Sequence, residues 1–535
     1  MASVSNAPTE AGTLPSGTLA SGKRRIVSNS VWNVIGYGSS MAVAFILTPF
    51  VIHRLGTTLY GVWSLVGEIT GYMALSDFGM RVAVTRFAAH HSALGEDQQL
   101  NRVLSTILFF SLLPLLLIVA VSGAIALQLP HFFSIPPAAI GAAQSSLVIA
   151  ALTLGLAFPG MVFPGLLGGV MRYDLLNIVA LVTLAVKATL IWGLLSHGYG
   201  LVGVAAAEFI ATVVSYALFW GFAHSQLQTL VIRWRLVDFG TLRSLLGFSL
   251  AVFLQAIAFK LCFLSDNLVV GFVLGPAMVG FYAVATSLIE RSRGIVTIIT
   301  QLYAPLATKM NAQNRGRDLQ RLFVSGSRMG LILLLPIILG LAFLGTSFLR
   351  LWVGPEFARH SGPVLTCLAA ALLFAPIRIT CLQIVYGLNR QRVNLYLALG
   401  EAAVNFLLSV ILIRHFGMLG VALGTLAAAI PFEGVFIPWD TANLVGTSMR
   451  QYLTDVLLMP ILVASPLAAW FFVVRSMNLA YTWFSLALTA TLGVVVYVAC
   501  VSTFGLSAQE REFLTARLPL GKVRRFIQSY DQVAN

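Results

Sequence analysis

The sequence predicts an all-α, polytopic membrane protein of about fourteen transmembrane helices. Of its 535 residues, 58% are hydrophobic and only 10% are Asp, Glu, Lys or Arg, and the mean hydropathy is +0.89. Soluble proteins carry roughly 25% charged residues, so this composition excludes a soluble enzyme. The apolar residues run in blocks of roughly 20, the length of a spanning helix. A membrane β-barrel would instead alternate apolar and polar residues over roughly 10 positions.

Breaks rich in charged or turn-forming residues separate the apolar blocks and define the predicted spans. In order, these spans are 26–52, 60–80, 103–127, 141–168, 176–196, 202–222, 245–271, 281–305, 326–349, 363–388, 395–413, 419–438, 455–474 and 482–503.

The distribution of Lys and Arg predicts the orientation, because these residues concentrate in cytoplasmic loops. With the N-terminus inside, the inner segments hold 23 of the 33 and the outer loops hold five. Both termini are therefore predicted to be cytoplasmic. The net charge is +14. We attribute it to basic cytoplasmic loops that lie beside anionic lipid headgroups, so no nucleic-acid partner is expected. We predict a disordered N-terminal tail (1–25) and a basic C-terminal tail (504–535), which lies on the inner membrane surface or is solvated.

Landmarks that recur at a nearly constant offset along the chain predict an internal duplication. Its copies are separated by six spans, an even number, so they share one orientation as a parallel repeat. We predict an N-lobe (26–222), a cytoplasmic linker (223–244), a C-lobe (245–438) and two appended spans (439–503). The matched landmarks are Leu55-Gly56 and Tyr60-Gly61 with Leu274-Gly275 and Val279-Gly280; Gly169 to Arg172 with Gly387 to Arg390; Gly200 to Ala205 with Gly417 to Ala422; and Pro159 with Pro376.

Ionisable residues inside the predicted spans mark the candidate functional site, because each costs at least roughly 2.5–3.5 kcal/mol at mid-bilayer and needs a partner or a wet cavity. Five are basic, and we predict that they line a cationic cavity between the lobes and bind an anionic, amphiphilic cargo. Arginine offers a planar fork that suits phosphate oxygens. The five are Lys187, Lys260, Arg291, Arg293 and Arg378.

Polar stripes on the helices that open the two lobes are predicted to line the same cavity. The first contains Asn29, Asn33 and Tyr37, and the second contains Glu290, Arg293, Thr297 and Gln301. The alternative is that Glu290 and Arg293 only pair with each other along one helix.

Three carboxylates are candidates for coupling transport to an ion gradient: Asp266, Glu290 and Glu68. Glu433 lies close to its helix end and is predicted to be solvated. The sequence contains no Walker motif and no HExxH, GxSxG or paired acidic motif in an aqueous loop. It therefore predicts neither an enzyme nor a bound metal or cofactor.

Several segments resemble Wzx-type polysaccharide flippases of the multidrug/oligosaccharidyl-lipid/polysaccharide exporter superfamily. They are Leu47 to Phe50, Leu55-Gly56, Tyr60 to Leu65, Leu75 to Met80, and Asp266 to Gly271 followed by Leu274-Gly275, Gly280 and Tyr282-Ala283.

This resemblance implies translocation of undecaprenyl-diphosphate-linked oligosaccharide across the bacterial inner membrane for O-antigen, capsule or exopolysaccharide assembly. It also implies contact with membrane lipids and work beside a polysaccharide polymerase and a chain-length regulator. Asp266 falls within a segment similar to one in that family, whereas the role of the basic residues rests on the physical argument alone. Two alternatives stay open: an ion-coupled drug/cation antiporter of the same superfamily, and a membrane scaffold for polysaccharide synthesis that transports nothing.

Overall fold

The part of the chain that the structure describes is almost entirely helical. The computed structural model describes residues 16–74, 80–227, 229–240, 242 and 265–505, and none of them forms a β-strand. Eleven helical segments of this part are long and apolar enough to cross a membrane, so the protein is a multi-pass membrane protein. These segments are Ile35–Met73, Asp97–Phe132, Pro137–Gly160, Tyr173–Ser196, Gly200–Gln226, Gly316–Trp352, Pro355–Gly387, Gln391–Phe416, Met418–Val445, Met449–Ser476 and Trp483–Gly505.

The first half begins with a long helix, α1 (Ser16–Met73), which starts inside the segment for which we predicted disorder. The helices that follow it are α2 (Met80–Leu94), α3 (Asp97–Phe110), α4 (Leu112–Phe132), α5 (Ile140–Gly160), α6 (Val162–Gly169), α7 (Tyr173–Ser196) and α8 (Gly200–Gln226).

The second half also consists of long apolar helices, and several of them contain a π-helical turn. In order they are α9 (Ser265–Leu274), α10 (Pro276–Thr300), α11 (Tyr303–Ala312), α12 (Gly316–Leu339), α13 (Gly345–Trp352), α14 (Pro355–Ala371), α15 (Ala375–Gly387), α16 (Gln391–Phe416), α17 (Met418–Pro431), a π turn (Phe432–Phe436), α18 (Ile437–Val445), α19 (Met449–Tyr452), α20 (Met459–Ser476) and α21 (Trp483–Cys500).

Eleven segments are fewer than the fourteen predicted spans for three identifiable reasons. The first two predicted spans lie in one helix, α1, whose backbone leaves the helical conformation only at Gly56. Most of the seventh predicted span, 245–271, falls outside the described residues. The eighth corresponds to α10, which is 25 residues long but carries Glu290, Arg291 and Arg293. The total of fourteen stays a prediction.

Unusual backbone conformations recur at positions that the predicted duplication pairs with each other. Gly56 and its counterpart Gly275 have φ/ψ of 76/168° and 87/170°, a region that only glycine adopts readily. Met171 and its counterpart Asn389 both have left-handed φ, at 58° and 55°. The chain thus bends in the same way at corresponding points of the two halves.

A reciprocal glycine contact joins the two halves where α1 crosses α10. A Cβ atom on Gly61 would lie 1.7 Å from the carbonyl oxygen of Pro276, and one on Gly280 would lie 2.6 Å from that of Thr57. The predicted duplication pairs Gly61 with Gly280, and at the same offset it pairs Thr57 with Pro276. Such an exchange of equivalent contacts is what an approximate two-fold axis through the crossing produces.

Among the described residues, the largest cluster of buried apolar side chains includes the helices of this crossing. It includes Leu65 of α1 together with Val270 of α9 and Val279 of α10, and it continues into α12 and α14. The close backbone approach between the halves is therefore surrounded by packed apolar side chains. It fixes the position of α1 relative to α10.

Adding a methyl group at this crossing is expected to destabilise the fold. Because backbone atoms oppose the new Cβ, Gly61→Ala cannot be relieved by a side-chain movement, and we expect a loss of about 1–3 kcal/mol, the typical range for overpacking. The measurement is the thermal unfolding midpoint of the purified protein in detergent.

The matched control is Gly38→Ala, on the same helix, where a Cβ would have no atom of the described residues within 4 Å. Equal midpoints for the two variants would contradict the crossing as described.

Candidate functional site: a polar cavity and a buried charge cluster

A cavity of about 870 Å³ lies among six helices of the two halves. The helices α1, α5, α7 and α8 form most of its wall, and α9 and α10 close the remaining side. Most of the lining is apolar, with hydroxyl groups such as those of Ser64, Thr153 and Ser287. Its volume falls within the roughly 300–1,000 Å³ of typical ligand sites.

The charged groups on this wall are of both signs. Lys187 and Arg291 are basic, whereas Glu68, Glu208 and Glu290 are acidic. The cationic excess predicted from the sequence is therefore absent among the described residues of the wall. The sequence could not show this, because each helix face has to be placed before its carboxylates can be assigned to the same space.

The lysine on the wall is neutralised by a partner on the next helix. Lys187 of α7 forms an ion pair with Glu208 of α8, and their side chains keep 37% and 33% of their exposure. Exposed ion pairs of this kind contribute little to stability, about 0–1 kcal/mol. The pair can therefore open at small cost and offer the ammonium group to another anion.

Across the cavity, α1 and α9 are linked by a hydrogen bond. The Asn267 amide donates to Glu68 at 2.6 Å. Glu68, predicted as an ion-coupling residue, thus faces the cavity while contacting the second half of the protein.

A second cavity, of about 410 Å³, adjoins the first one, and Ser40 lines both. Tyr37 and Gln301, two of the predicted lining residues, border it. The Tyr37 hydroxyl donates to the backbone carbonyl of Arg291 and so joins α1 to α10. Thr297 is exposed, and its hydroxyl donates to the backbone carbonyl of Arg293 at 3.2 Å.

The basic residue Arg378 lies away from the large cavity, inside the second half. It forms an ion pair with Glu401 of α16 and lies 3.5 Å from the Oε1 atom of Glu433 in the π turn Phe432–Phe436. All three side chains are buried, and Glu433 is 2% exposed rather than solvated as predicted. The Arg378 guanidinium beside Glu433 offsets part of the cost of burying its carboxylate.

Arg293 lies between these two regions. It borders a small void of about 20 Å³ together with Glu401 and Glu433, and its Nη1 atom lies 3.8 Å from Glu290 on the cavity side. The interaction between Arg293 and Glu290 that we weighed as an alternative is therefore present, although long. It coexists with the position of Glu290 on the cavity wall.

Asp266 is buried behind the cavity wall and is fully engaged in hydrogen bonds. Its carboxylate accepts from Tyr282 at 3.0 Å, Thr425 at 2.9 Å and Asn405 at 3.5 Å. Three elements of the second half, α10, α16 and α17, thus converge on this carboxylate. The next residue, Asn267, is the one that reaches the cavity.

The predicted site residues therefore separate into distinct groups. Lys187, Arg291, Glu68 and Glu290 share the large cavity, whereas Arg293 and Arg378 meet two carboxylates that the prediction did not include. Lys260 and the side chains of Asn29 and Asn33 lie outside what the structure describes.

Sequence reasoning missed Glu208, Glu401 and Glu433 as functional residues. All three are acidic residues within predicted spans, and in the fold each lies beside a lysine or arginine of another predicted span. The available signal was the cost of burying an unpaired charge, which demands a carboxylate for each buried cation.

Removing the central guanidinium of the buried cluster is expected to unfold the second half. Arg378→Ala leaves Glu401 and Glu433 buried without their cation, and breaking a buried pair in this way costs about 3–5 kcal/mol. The measurement is the fraction of monodisperse protein after detergent extraction. The exposed Arg390→Ala serves as the control, and equal recovery of both variants would be evidence against the buried cluster.

Comparisons with known proteins agree with this architecture. A family model described as "Polysaccharide biosynthesis protein" matches residues 26–311. The "Uncharacterized membrane protein EpsK" of Bacillus subtilis is 22% identical over 79% of this chain and 85% of its own length. The "Putative O-antigen transporter" of Shigella flexneri is 20% identical over 77% of this chain and 97% of its own length.

The fold also matches that of a solved flippase. A structure titled "Lipid II flippase MurJ, inward closed conformation" superimposes with a TM-score of 0.67 at 16% identity, over 89% of this chain and 98% of that chain. The resemblance predicted from the sequence segments is confirmed at the level of the family. Because the family model covers more than half of its residues, the chain belongs to the polysaccharide biosynthesis protein family.

Proposed function

We propose that this protein is a transporter that flips undecaprenyl-diphosphate-linked oligosaccharide across the bacterial inner membrane for O-antigen, capsule or exopolysaccharide assembly. The observation that carries the proposal is the cavity of about 870 Å³ between the two halves, whose mainly apolar wall holds the cations Lys187 and Arg291 beside three carboxylates. Membership of a polysaccharide biosynthesis family and similarity to a putative O-antigen transporter support the choice of cargo.

The charges on the wall suit a diphosphate that binds by exchange. Lys187 leaves Glu208 for a phosphate oxygen, and Arg291 approaches the same group from α10. Charge-assisted hydrogen bonds from ammonium and guanidinium groups to phosphate are among the stronger ones in proteins. The cavity accommodates the diphosphate and the first sugars, while the polyprenyl chain remains in the lipid. Release is favoured because Glu208 competes for the lysine.

The proposed cycle is alternating access between two six-span lobes, 26–222 and 245–438. The orientation predicted from the Lys and Arg distribution places the bends at Gly56 and Gly275 on the outer side. The glycine crossing of α1 and α10 then closes the outer end of the cavity, and the Phe45 ring stacks on Trp352 of α13 nearby, with centroids 5.5 Å apart. Outward opening would require both contacts to separate.

Ion coupling forms part of the proposal through three carboxylates in two settings. Glu68 and Glu290 face the cavity and meet any cation that enters it, whereas Asp266 lies behind the wall. Asn267 connects the two settings, because it follows Asp266 in sequence and donates to Glu68. If ion binding at Asp266 or at Glu68 moved α9, the other carboxylate would therefore be affected as well.

The test replaces the two cations of the cavity in a strain whose surface polysaccharide depends on this protein. We expect Lys187→Ala and Arg291→Ala each to reduce the amount of polymer by about tenfold, because each variant loses roughly one charge-assisted hydrogen bond to the cargo. Protein level in the membrane should be unchanged, because neither side chain is fully buried. The readout is polymer on the cell surface relative to protein amount.

The exposed Arg350→Ala is the matched control, since it removes an arginine outside the cavity. Normal polymer in the Lys187→Ala/Arg291→Ala double variant would refute a role for these cations and would favour a scaffold that transports nothing.

A second candidate function, an ion-coupled drug/cation antiporter, is favoured by one observation. The described cavity wall holds three carboxylates and two cations. Such a wall suits an organic cation better than the cationic wall predicted from the sequence would. Under this alternative, Glu208→Gln and Glu290→Gln sensitise cells to cationic drugs and leave surface polysaccharide intact. Under the flippase proposal the same variants alter polymer and leave drug sensitivity at the wild-type level.

A further inference from the structure

A groove of about 640 Å³ lies on the second half of the protein, apart from the cavities described above. Its wall is formed by α13, α14, α17 and the end of α20, and none of its described lining residues borders the large cavity or the cavity beside Tyr37. Pro363 and Ala370 of this wall are exposed, although they lie within the apolar segment Pro355–Gly387. The groove therefore opens toward the lipid rather than toward the large cavity.

Two exposed guanidinium groups border this groove. They belong to Arg359 of α14 and to Arg475 in the last turn of α20. The described wall carries no carboxylate, and Glu356, one turn before Arg359, neither borders the groove nor forms an ion pair with Arg359 among the described residues. Arg475 donates one long hydrogen bond, of 3.4 Å, to the carbonyl oxygen of Ala342. Most of the five N–H donors of each guanidinium therefore remain available to a ligand.

The side of the membrane makes this pair of arginines unusual. Both belong to predicted outer loops, which hold only five of the 33 Lys and Arg residues, and two of those five meet at this groove. Basic residues are normally concentrated on the cytoplasmic side. Arginine binds phosphate through charge-assisted, often bidentate hydrogen bonds. Two arginines at one lipid-facing groove on the outer side thus indicate an anionic partner that carries a phosphate.

The remainder of the groove is mainly apolar and is about as deep as one leaflet. Pro363 and Ala370 follow Arg359 along α14, and Leu419 and Leu423 of α17 line the same space. The helix from Arg359 to Ala370 is roughly 16 Å long, whereas the hydrocarbon layer of one leaflet is about 15 Å thick, half of the bilayer core. A cationic end at the membrane surface and an apolar stem of this depth match the headgroup and one acyl chain of a phospholipid.

We propose that this groove binds an anionic phospholipid of the outer leaflet, with its phosphate between Arg359 and Arg475 and one acyl chain along α14 and α17. Within the second half α14 packs against α17, whereas α20 belongs to the predicted appended spans and packs against α12. A phosphate held by both arginines therefore ties the outer end of α20 to the lobe. The site is separate from the cavity proposed for the cargo, and its existence does not depend on which cargo the protein carries.

The test is native mass spectrometry of the full-length protein, titrated in detergent with phosphatidylglycerol or phosphatidylethanolamine of the same acyl chains. Both lipids carry a phosphate, but the ammonium group of phosphatidylethanolamine is repelled by the two guanidinium groups. We expect the first phosphatidylglycerol to bind about tenfold more tightly, a difference of roughly one charge-assisted hydrogen bond. Equal affinities for the two lipids would overturn the proposal.

A double variant tests the two arginines. Arg359→Gln/Arg475→Gln is expected to lower the affinity for phosphatidylglycerol by at least about tenfold. The matched control, Arg350→Gln/Arg414→Gln, removes the same charge from exposed arginines of predicted outer loops that do not border the groove. All four side chains are exposed, so both double variants are expected to fold, which size-exclusion profiles check. An unchanged affinity in the first double variant, or equal losses in the two, would overturn the proposal.

A bulky substitution tests the apolar stem without a change of charge. Ala370→Trp fills the inner end of the groove and is expected to weaken phosphatidylglycerol binding. The control is Ala487→Trp at an exposed position of α21 outside the groove, and it should bind as the wild type does. Wild-type affinity in Ala370→Trp would mean that the headgroup binds to surface charge alone, which would overturn the groove as the site.

The competing occupant is the polyprenyl diphosphate of the proposed cargo, which also combines phosphate with an apolar chain. Undecaprenyl diphosphate is therefore added at an equal concentration to the complex with phosphatidylglycerol. We expect the phospholipid to be retained, because the depth of the groove fits one acyl chain and the undecaprenyl chain is several times longer. Displacement of phosphatidylglycerol would assign the groove to the cargo lipid and overturn the phospholipid assignment.

Discussion

Compensation of charge in a low-dielectric interior is the constraint on which the site depends. Lys187 is held by Glu208, and Arg378 is held by Glu401 and Glu433. The two sets differ in exposure, and the difference separates their roles. A half-exposed pair can exchange its partner for a ligand, whereas a buried cluster is costly to break and instead keeps helices in register.

The glycine crossing of α1 and α10 supplies the complementary geometric constraint. It brings the two halves into backbone contact at Gly61 and Gly280. Tyr37 precedes the crossing on α1 and Glu290 follows it on α10, and both residues border cavities. The small residues at the crossing and the polar residues beyond it are thus parts of one arrangement.

Much of the fold was predictable from the sequence, because the length and hydropathy of apolar segments identify membrane helices. The recurring landmarks anticipated the matching backbone at Gly56 and Gly275 and at Met171 and Asn389. The site was less predictable. Arg378 was predicted to line the cavity because it is a basic residue within a predicted span, but its partners, Glu401 and Glu433, come from later elements of the chain. Only the folded arrangement of α15, α16 and the π turn reveals them.

Site-specific photo-crosslinking can detect whether the lipid-linked diphosphate enters the cavity. A photoreactive residue in place of Ser287, on the cavity wall, is compared with one in place of Ser465, on an exposed face of α20 outside this cavity. After irradiation in membranes that assemble the polymer, we expect a glycolipid adduct at position 287 and none at 465. Equal labelling of both positions, or labelling of 465 alone, would contradict it.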